Sequence, residues 1–193
     1  MRLAVLSDIH DNIWKLAAAL EAVASCDALI CCGDLCSPFI IHQLGRAFAG
    51  PIHIVFGNND ADLFRITANA QKYPQIHIHA EFFRAEFDGK SVAAVHYDNI
   101  ARPLALSGEF DLVAFGHNHV YEIVRKGRAL LVNPGPIMGA KFGPDGATDV
   151  PSTFVVYDTA SNTARGYELA QCPGDGFQAR LKPPALGGGA TAE

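Results

Sequence analysis

The sequence predicts an α/β domain in which a helix-covered parallel sheet packs against a second, strand-rich sheet. Three observations predict it. Over the first 60 residues, short apolar runs alternate with polar loops and helix signals, a pattern that implies parallel strands with right-handed crossovers. Beyond residue 80, alternating runs are joined by tight turns with few helix signals between them. The chain has 193 residues, 49% of them hydrophobic, which is enough for one well-packed domain.

The elements follow in order. Arg2 to Leu6 is a short apolar run ended by a polar cluster and reads as a buried strand. Asn12 is placed to cap a helix reaching about Ser25, with Ile13, Leu16, Leu20 and Val23 on its apolar face. Ala28 to Cys32 is a second buried strand, ended by Gly33. Ser37 and Pro38 open another helix, Ser as the cap and Pro at the first helical position. Pro51 to Phe56 is a third strand, ended by Gly57. Glu81 to Phe87 alternates, Asp88-Gly89 turns tightly, and Ser91 to Val95 returns as the hairpin partner. Leu112 to Phe115, Val120 to Val124 and Ala129 to Val132 are further strands, with a turn at Lys126-Gly127. Thr153 to Tyr157 and Ala164 to Leu169 form a last hairpin across Ser161-Asn162. From Cys172 onward Pro, Gly and Ala dominate. Residues 1–170 therefore read as a single domain and 171–193 as a loosely ordered tail.

Charge and cysteine content exclude several classes. The formal charge is -5 and no Lys/Arg cluster stands out, so a broad nucleic-acid surface is not expected. No apolar run approaches the roughly 18 residues of a membrane span. The opening run, Met1 to Leu6, is too short for the core of a signal peptide. Five cysteines, three of them crowded at Cys31, Cys32 and Cys36, do not form a disulfide framework, and a reduced, cytoplasmic setting fits. Cys31 and Cys32 lie inside an apolar run, which favours buried packing over a zinc cluster.

The chemistry lies where the apolar runs end. Asp8 and His10 follow the first strand, Asp34 the second and Asn58 the third; His96 follows the hairpin, and His117 and His119 follow Leu112 to Phe115. Ligands of open α/β sheets bind at the carboxyl ends of strands. Five strand ends thus deliver carboxylate, amide and imidazole donors to one rim, a set suited to Mn, Fe, Zn or Ni. Asp8 and Asp34 brought together without a cation would repel until one took up a proton. Seven donors exceed the needs of one ion, and with one bridging carboxylate they suit two. Such a pair lowers the pKa of a shared water toward about 7 and produces a hydroxide nucleophile. By contrast, His77 and His79 read as a solvated strand face, and His42 and His53 receive no role.

The series Asp8-x-His10, Gly33-Asp34, Gly57-Asn58-x-Asp60, His96, Gly116-His117-x-His119 resembles the calcineurin-like metallophosphoesterases. Small size and the Asn133-Pro134-Gly135 stretch are similar to the compact, YfcE-like phosphodiesterase branch, over residues 1 to about 170. The resemblance implies a four-layer αββα sandwich with two divalent metal ions, Mn first, with Ni, Fe, Zn or Mg as alternatives. It implies that Asp8, His10, Asp34 and His119 hold one ion, and that Asp34 as bridge, Asn58, His96 and His117 hold the other. The bridging hydroxide would attack phosphorus in line, so Asp34, Asn58 and His117 are the catalytic residues and a small phosphate ester is the substrate. Asn12, Asn59 and Tyr97 are assigned to substrate binding. Homo-oligomers are common in this branch, so self-association is a further expectation.

Three positions depart from the family pattern. Asn59 stands where many members have a His that protonates the leaving group, a contribution of about 10²–10⁴-fold, so leaving groups needing no proton are favoured. Tyr97-Asp98 replaces a usual Gly after His96, putting a ring where it narrows the site or stacks on a substrate group. Asp11 replaces a common Gly and adds negative charge. The rival reading is a binding scaffold, because Gly33-Asp34-Leu35-Cys36 and Pro151-Ser152-Thr153-Phe154 also resemble the small retromer subunit of the same superfamily. Complete ligands favour the enzyme.

Overall fold

Alternation along the first strand organises the molecule. In the computed structural model, which describes residues 1–174 and 176–183, Ala4 and Leu6 of β1 (Arg2–Leu6) pack under helices while Leu3 and Val5 face a second sheet. Both faces are covered, which is why the run is apolar throughout.

The elements in chain order are β1, α1 (Ile13–Ala22), β2 (Ala28–Cys31), α2 (Phe39–Ala47), β3 (Ile52–Ile54), α3 (Leu63–Ala70) and β4 (Ile76–Ile78). Then come β5 (Phe83–Phe87), β6 (Lys90–Ala94), α4 (Asp98–Leu106), β7 (Leu112–Ala114), β8 (Glu122–Lys126) and β9 (Ala129–Asn133). The hairpin β10 (Ala140–Gly143) and β11 (Gly146–Asp149), then β12 (Thr153–Asp158), β13 (Thr163–Gln171) and β14 (Phe177–Leu181), complete the described chain. One sheet runs β14-β13-β12-β1-β2-β3-β4, the other β5-β6-β7-β9-β8. In the first, β1 to β4 are parallel and β12 to β14 antiparallel additions; in the second, β6, β7 and β9 are parallel between antiparallel edges.

Three apolar layers separate four structural ones. Leu16, Leu20, Ile40, Leu44 and Ile66 of α1 to α3 pack on Leu6, Leu29 and Ile54. Ile30, Cys32 and Val55 meet Val92, Leu112 and Val132 between the sheets. Ala101 and Ala105 of α4 pack on Val113, Phe115 and Leu131. This is the αββα sandwich, with mixed sheets. Cys31 points to the helices and Cys32 to the inter-sheet core, so they cannot share a metal; burial pushes the Cys31 thiol up to about 12.

Several local expectations change. Ile13 is 37% exposed, so α1 buries Leu16, Ala19 and Leu20 instead, and it ends at Ala22 rather than near Ser25. Ser37 does not cap α2: the flanking residue is Pro38, with no side-chain cap bond, because the Ser37 hydroxyl donates to Asp11 Oδ2 at 2.6 Å. The strand expected from Val120 begins at Glu122. Helices α3 and α4 and the β10–β11 hairpin arise where no element was expected. The ordered domain also runs beyond residue 170, because β14 pairs along β13 from Gln171↔Phe177 to Tyr167↔Leu181. The tail reading at 184–193, and at residue 175, lies outside the described residues.

Candidate metal centre

The loops after β1, β2, β3, β6 and β7 converge, and hydrogen bonds between them explain how. Asp8 N–H donates to the Gly33 carbonyl and His10 N–H to that of Asp34, lacing the first loop to the second. Asp60 laces the second to the third: its Oδ2 accepts from Asp34 N–H at 3.0 Å and Gly57 N–H at 2.7 Å, and its Oδ1 from Cys36 N–H at 2.9 Å. Asp8 accepts from His117 N–H at 3.2 Å on both oxygens. Asn133 ties down that last loop by donating to Gly116 O and Asn118 Oδ1, both at 2.9 Å.

Two glycines make room. A Cβ on Gly57 would sit 2.2 Å from Asp34 Oδ1, and one on Gly116 would sit 1.8 Å from Ser7 Oγ. Only glycine lets the backbone pass this close.

The predicted ligands assemble around Asp34. Asp8, His10, Asp34 and His119 offer donor atoms that all lie within 4.8 Å of one another. His119 Nε2 is 3.2 Å from Asp8 Oδ1, and His10 Nε2 is 3.4 Å from Asp34 Oδ2. The same Asp34 Oδ2 is 3.5 Å from His96 Nε2. Asn58 Oδ1 completes that side, 3.1 Å from His96 Nε2 and 2.8 Å from His117 Nδ1. All seven residues are thus in one constellation, with the Asp34 carboxylate between two halves.

The donor chemistry fits cations. His96 Nδ1 and His119 Nδ1 donate to the carbonyls of Cys32 and Ala140 at 2.7 and 2.6 Å, so in the neutral rings the lone pair is on Nε2 and faces carboxylate oxygen. Lone pair against lone pair repels unless a proton or a metal stands between them. His10 Nε2 is buried with no hydrogen-bond partner at all. Burial would raise the Asp34 carboxyl, but the adjacent His10 and His96 imidazoles and the hydrogen bonds from Asn59 hold it well below the usual carboxylate range. Burial likewise works against the His96 and His119 cations, yet Asp34 and Asp8 respectively push both imidazoles up. The site wants positive charge that its side chains supply only by taking up protons.

The other expected residues fare unevenly. Asn12 Oδ1 accepts from Lys15 N–H at 3.2 Å as the α1 cap, and its Nδ2 donates to Met138 O at 3.3 Å, so both ends of its amide hold structure. Asn59 donates from backbone and amide to the two Asp34 oxygens at 2.8 Å each, so it positions the carboxylate rather than facing outward. Tyr97 does border the site, its ring 4.8 Å from that of His117. The charge of Asp11 is answered by Ser37, whose N–H and hydroxyl both donate to it. His77 is exposed as expected, but His79 is half-buried on Phe83, with its Nε2 3.0 Å from His53 Nδ1. Sequence reasoning gave Asp60 and Asn133 no loop-tying role, although both stood in the quoted motifs, and it missed Phe142, whose ring lies 6.4 and 6.1 Å from those of His10 and His119.

Comparison with known proteins agrees with this geometry. Residues 1–162 match the family model described as the calcineurin-like phosphoesterase superfamily domain. A phosphodiesterase of Methanocaldococcus jannaschii is 26% identical over 143 residues, covering 72% of this chain and 86% of that protein. Among solved structures, an archaeal phosphodiesterase gives a TM-score of 0.77 at 24% identity, covering 88% of this chain and 100% of that one. Vps29 of Entamoeba histolytica gives 0.67 at 17%, covering 94% and 98%. The phosphoesterase Yfce of E. coli gives 0.58 at 18%, covering 82% and 89%.

Proposed function

Because the chain belongs to the calcineurin-like phosphoesterase superfamily, we propose that it is a metal-dependent phosphodiesterase with a two-ion centre. One observation carries the reading: Asp34 Oδ2 lies 3.4 Å from His10 Nε2 and 3.5 Å from His96 Nε2, between two sets of donors. Asp8, His10, Asp34 and His119 would hold one divalent ion, and Asp34, Asn58, His96 and His117 the other. When bound, such a pair supplies a hydroxide nucleophile from water and neutralises charge on the phosphoryl group. Mn²⁺ is the first ion to try, with Ni²⁺, Fe²⁺, Zn²⁺ and Mg²⁺ as alternatives.

The chain's own residues do the rest. Asn59 fixes the orientation of Asp34, Asp60 holds the loop that carries it, and the carbonyls behind His96 and His119 set their tautomers. Exposed His117 stands at the rim, where a phosphoryl oxygen enters. No imidazole follows Asn58, so esters whose leaving groups depart as stable anions are favoured. The name of the M. jannaschii relative supports a diester over a monoester.

A second reading has its own observation. Trp14 (68% exposed), Phe39 and Phe64 stand at the first turns of α1, α2 and α3, and an apolar groove of 650 Å³ runs beside Phe39 between α1 and α2. Such a surface suits a protein-binding scaffold. Hydrolysis of bis(p-nitrophenyl) phosphate by chelator-treated protein, with Mn²⁺, Ni²⁺, Mg²⁺ or Zn²⁺ restored singly, decides between them. Metal-restored turnover, abolished in Asp34→Ala and retained in His77→Ala, is expected. No turnover with any ion moves the function to the scaffold.

A further inference from the structure

We infer that the pocket beside His119 is the subsite for one substituent of the ester, and that it takes a ring-sized apolar group bearing an anion. The inference rests on the phosphoesterase reading and adds the substrate class. The cavity measures about 270 Å³ and is walled by His119, Val120, Tyr121, Pro151, Lys141 and Lys182. His119 therefore belongs both to the ligand cluster and to the pocket wall. A phosphoryl group at the cluster places its substituent at the mouth of this pocket.

Size and lining decide what enters. Pockets for whole drug-sized ligands run about 300–1,000 Å³, so this one suits a single fragment of a ligand. Val120 and Pro151 offer apolar surface to a ring, beside the edge of Tyr121. The two lysines differ. Lys182 is already answered, 3.1 Å from Glu168 and over the Tyr121 ring at 5.3 Å. Lys141 makes no ion pair among the described residues, which leaves one positive charge for an anion on the incoming group.

The β10–β11 hairpin aims this equipment. Successive residues of a strand point to opposite faces. Lys141 on β10 lines the pocket, and its neighbour Phe142, 59% exposed, faces the rings of His10 and His119. The His119 Nδ1 bond to the Ala140 carbonyl, 2.6 Å, fixes the base of the hairpin to the ligand cluster itself.

The test is calorimetric titration of the Mn²⁺-loaded full chain with dimethyl phosphate, diphenyl phosphate and phenyl 4-carboxyphenyl phosphate. Diphenyl phosphate is expected to bind about tenfold tighter than dimethyl phosphate, equivalent to about 1.4 kcal/mol, and the carboxylated compound tighter again. Val120→Trp, which fills the mouth, should collapse the first preference, and Lys141→Gln the second. Both positions are exposed, so neither change threatens the fold. Equal affinities in the wild type, absence of binding, or a ranking that survives both substitutions overturns the inference. Affinity is read from the binding heat of each injection and hydrolysis separately from released phenol, so the expected ranking without phenol release overturns the phosphoesterase reading alone.

Discussion

Asp60→Asn tests the idea that the ligand loops are held by one buried carboxylate. Asp60 is 6% exposed and accepts three backbone N–H bonds, from Asp34, Gly57 and Cys36. Bonds to a charged acceptor contribute about 1.5–3 kcal/mol each. A carboxamide keeps one oxygen, which would retain the two bonds at Oδ2 in weaker, uncharged form. Its nitrogen would then face the Cys36 N–H and leave that donor unanswered. Against this, burial raises the Asp60 carboxyl, so removing the buried charge recovers part of the loss. The net expectation is about 2 kcal/mol of stability. Because Asp34 N–H is one of the donors, Mn²⁺ affinity should fall about 10–100-fold, the usual effect of disturbing a group behind a ligand. Urea denaturation and Mn²⁺ titration measure both quantities. Asp62→Asn is the comparator, since that residue caps α3 through Arg65 N–H and pairs with the Arg65 guanidinium at 3.6 Å, away from the ligand loops. An unchanged urea midpoint together with unchanged Mn²⁺ affinity would refute the reasoning.

Metal removal should destabilise the fold by about 2.7 kcal/mol relative to protein at 100 times Kd, which is about 5–10 °C in Tm and is readable by scanning calorimetry with and without chelator. Gly57→Ala should weaken Mn²⁺ binding at least tenfold by driving a Cβ into Asp34 Oδ1, whereas Gly89→Ala, in open space, costs only backbone strain and leaves metal affinity alone. Burial, with His79 and His77 alongside, pushes the His53 imidazole down from its ordinary 6.5 to about 4. The folded state thus resists a proton that the unfolded chain accepts, so stability is full above about 6.5 and falls as pH drops toward 4. Discounted for partial exposure, the loss is about 1–2 kcal/mol, and a urea midpoint in His53→Gln that still shows the whole acid-side decline contradicts it.

The sequence made visible what is repetitive and apolar. Strands β1 and β2, each an apolar run closed by a polar or glycine residue, were legible because burial on both faces leaves no alternation to misread, and β3 was legible from its apolar flanks and Gly57. Their ends carry the candidate metal-binding residues Asp8, His10, Asp34 and Asn58, since each loop begins where the run stops. Helix α4 escaped because Pro103 lies inside it and its buried contacts are only Ala101 and Ala105. Helix α3 carries Thr67 and Asn69 and buries only Ile66 and Ala70. The β10–β11 hairpin has no buried face, so no periodicity marks it. Ser37 looked like a cap because caps are local; the Asp11 carboxylate that claims it comes from 26 residues away, beyond any local pattern. The amides of Asn12 and Asn59 turn inward, onto the α1 cap and onto Asp34, a matter of side-chain partners that spacing does not reveal.

Backbone conformation connects these loops to their chemistry. Asp8, His10, Asp34, His117 and His119 all have positive φ, from 43° to 70°, although none is glycine. Each such residue costs of order 1–3 kcal/mol and persists only where its surroundings dictate it. Here the surroundings are the laced loops: Asp60, Asn133 and the backbone bonds from Asp8 and His10 hold these five residues in conformations they would leave if freed. The same turns that strain the backbone bring Asp8, His10, His117 and His119 toward Asp34, while Asn58 and His96 arrive on unstrained backbone. A chain selected only for stability would relax both the strained φ values and the facing carboxylates. That both survive at one rim, with His10 Nε2 left unpartnered, argues that a cation bound there repays them. On the proposed reading, the strain and the unsatisfied charge are two sides of one design, a site shaped in advance so that binding a cation has little reorganisation left to do.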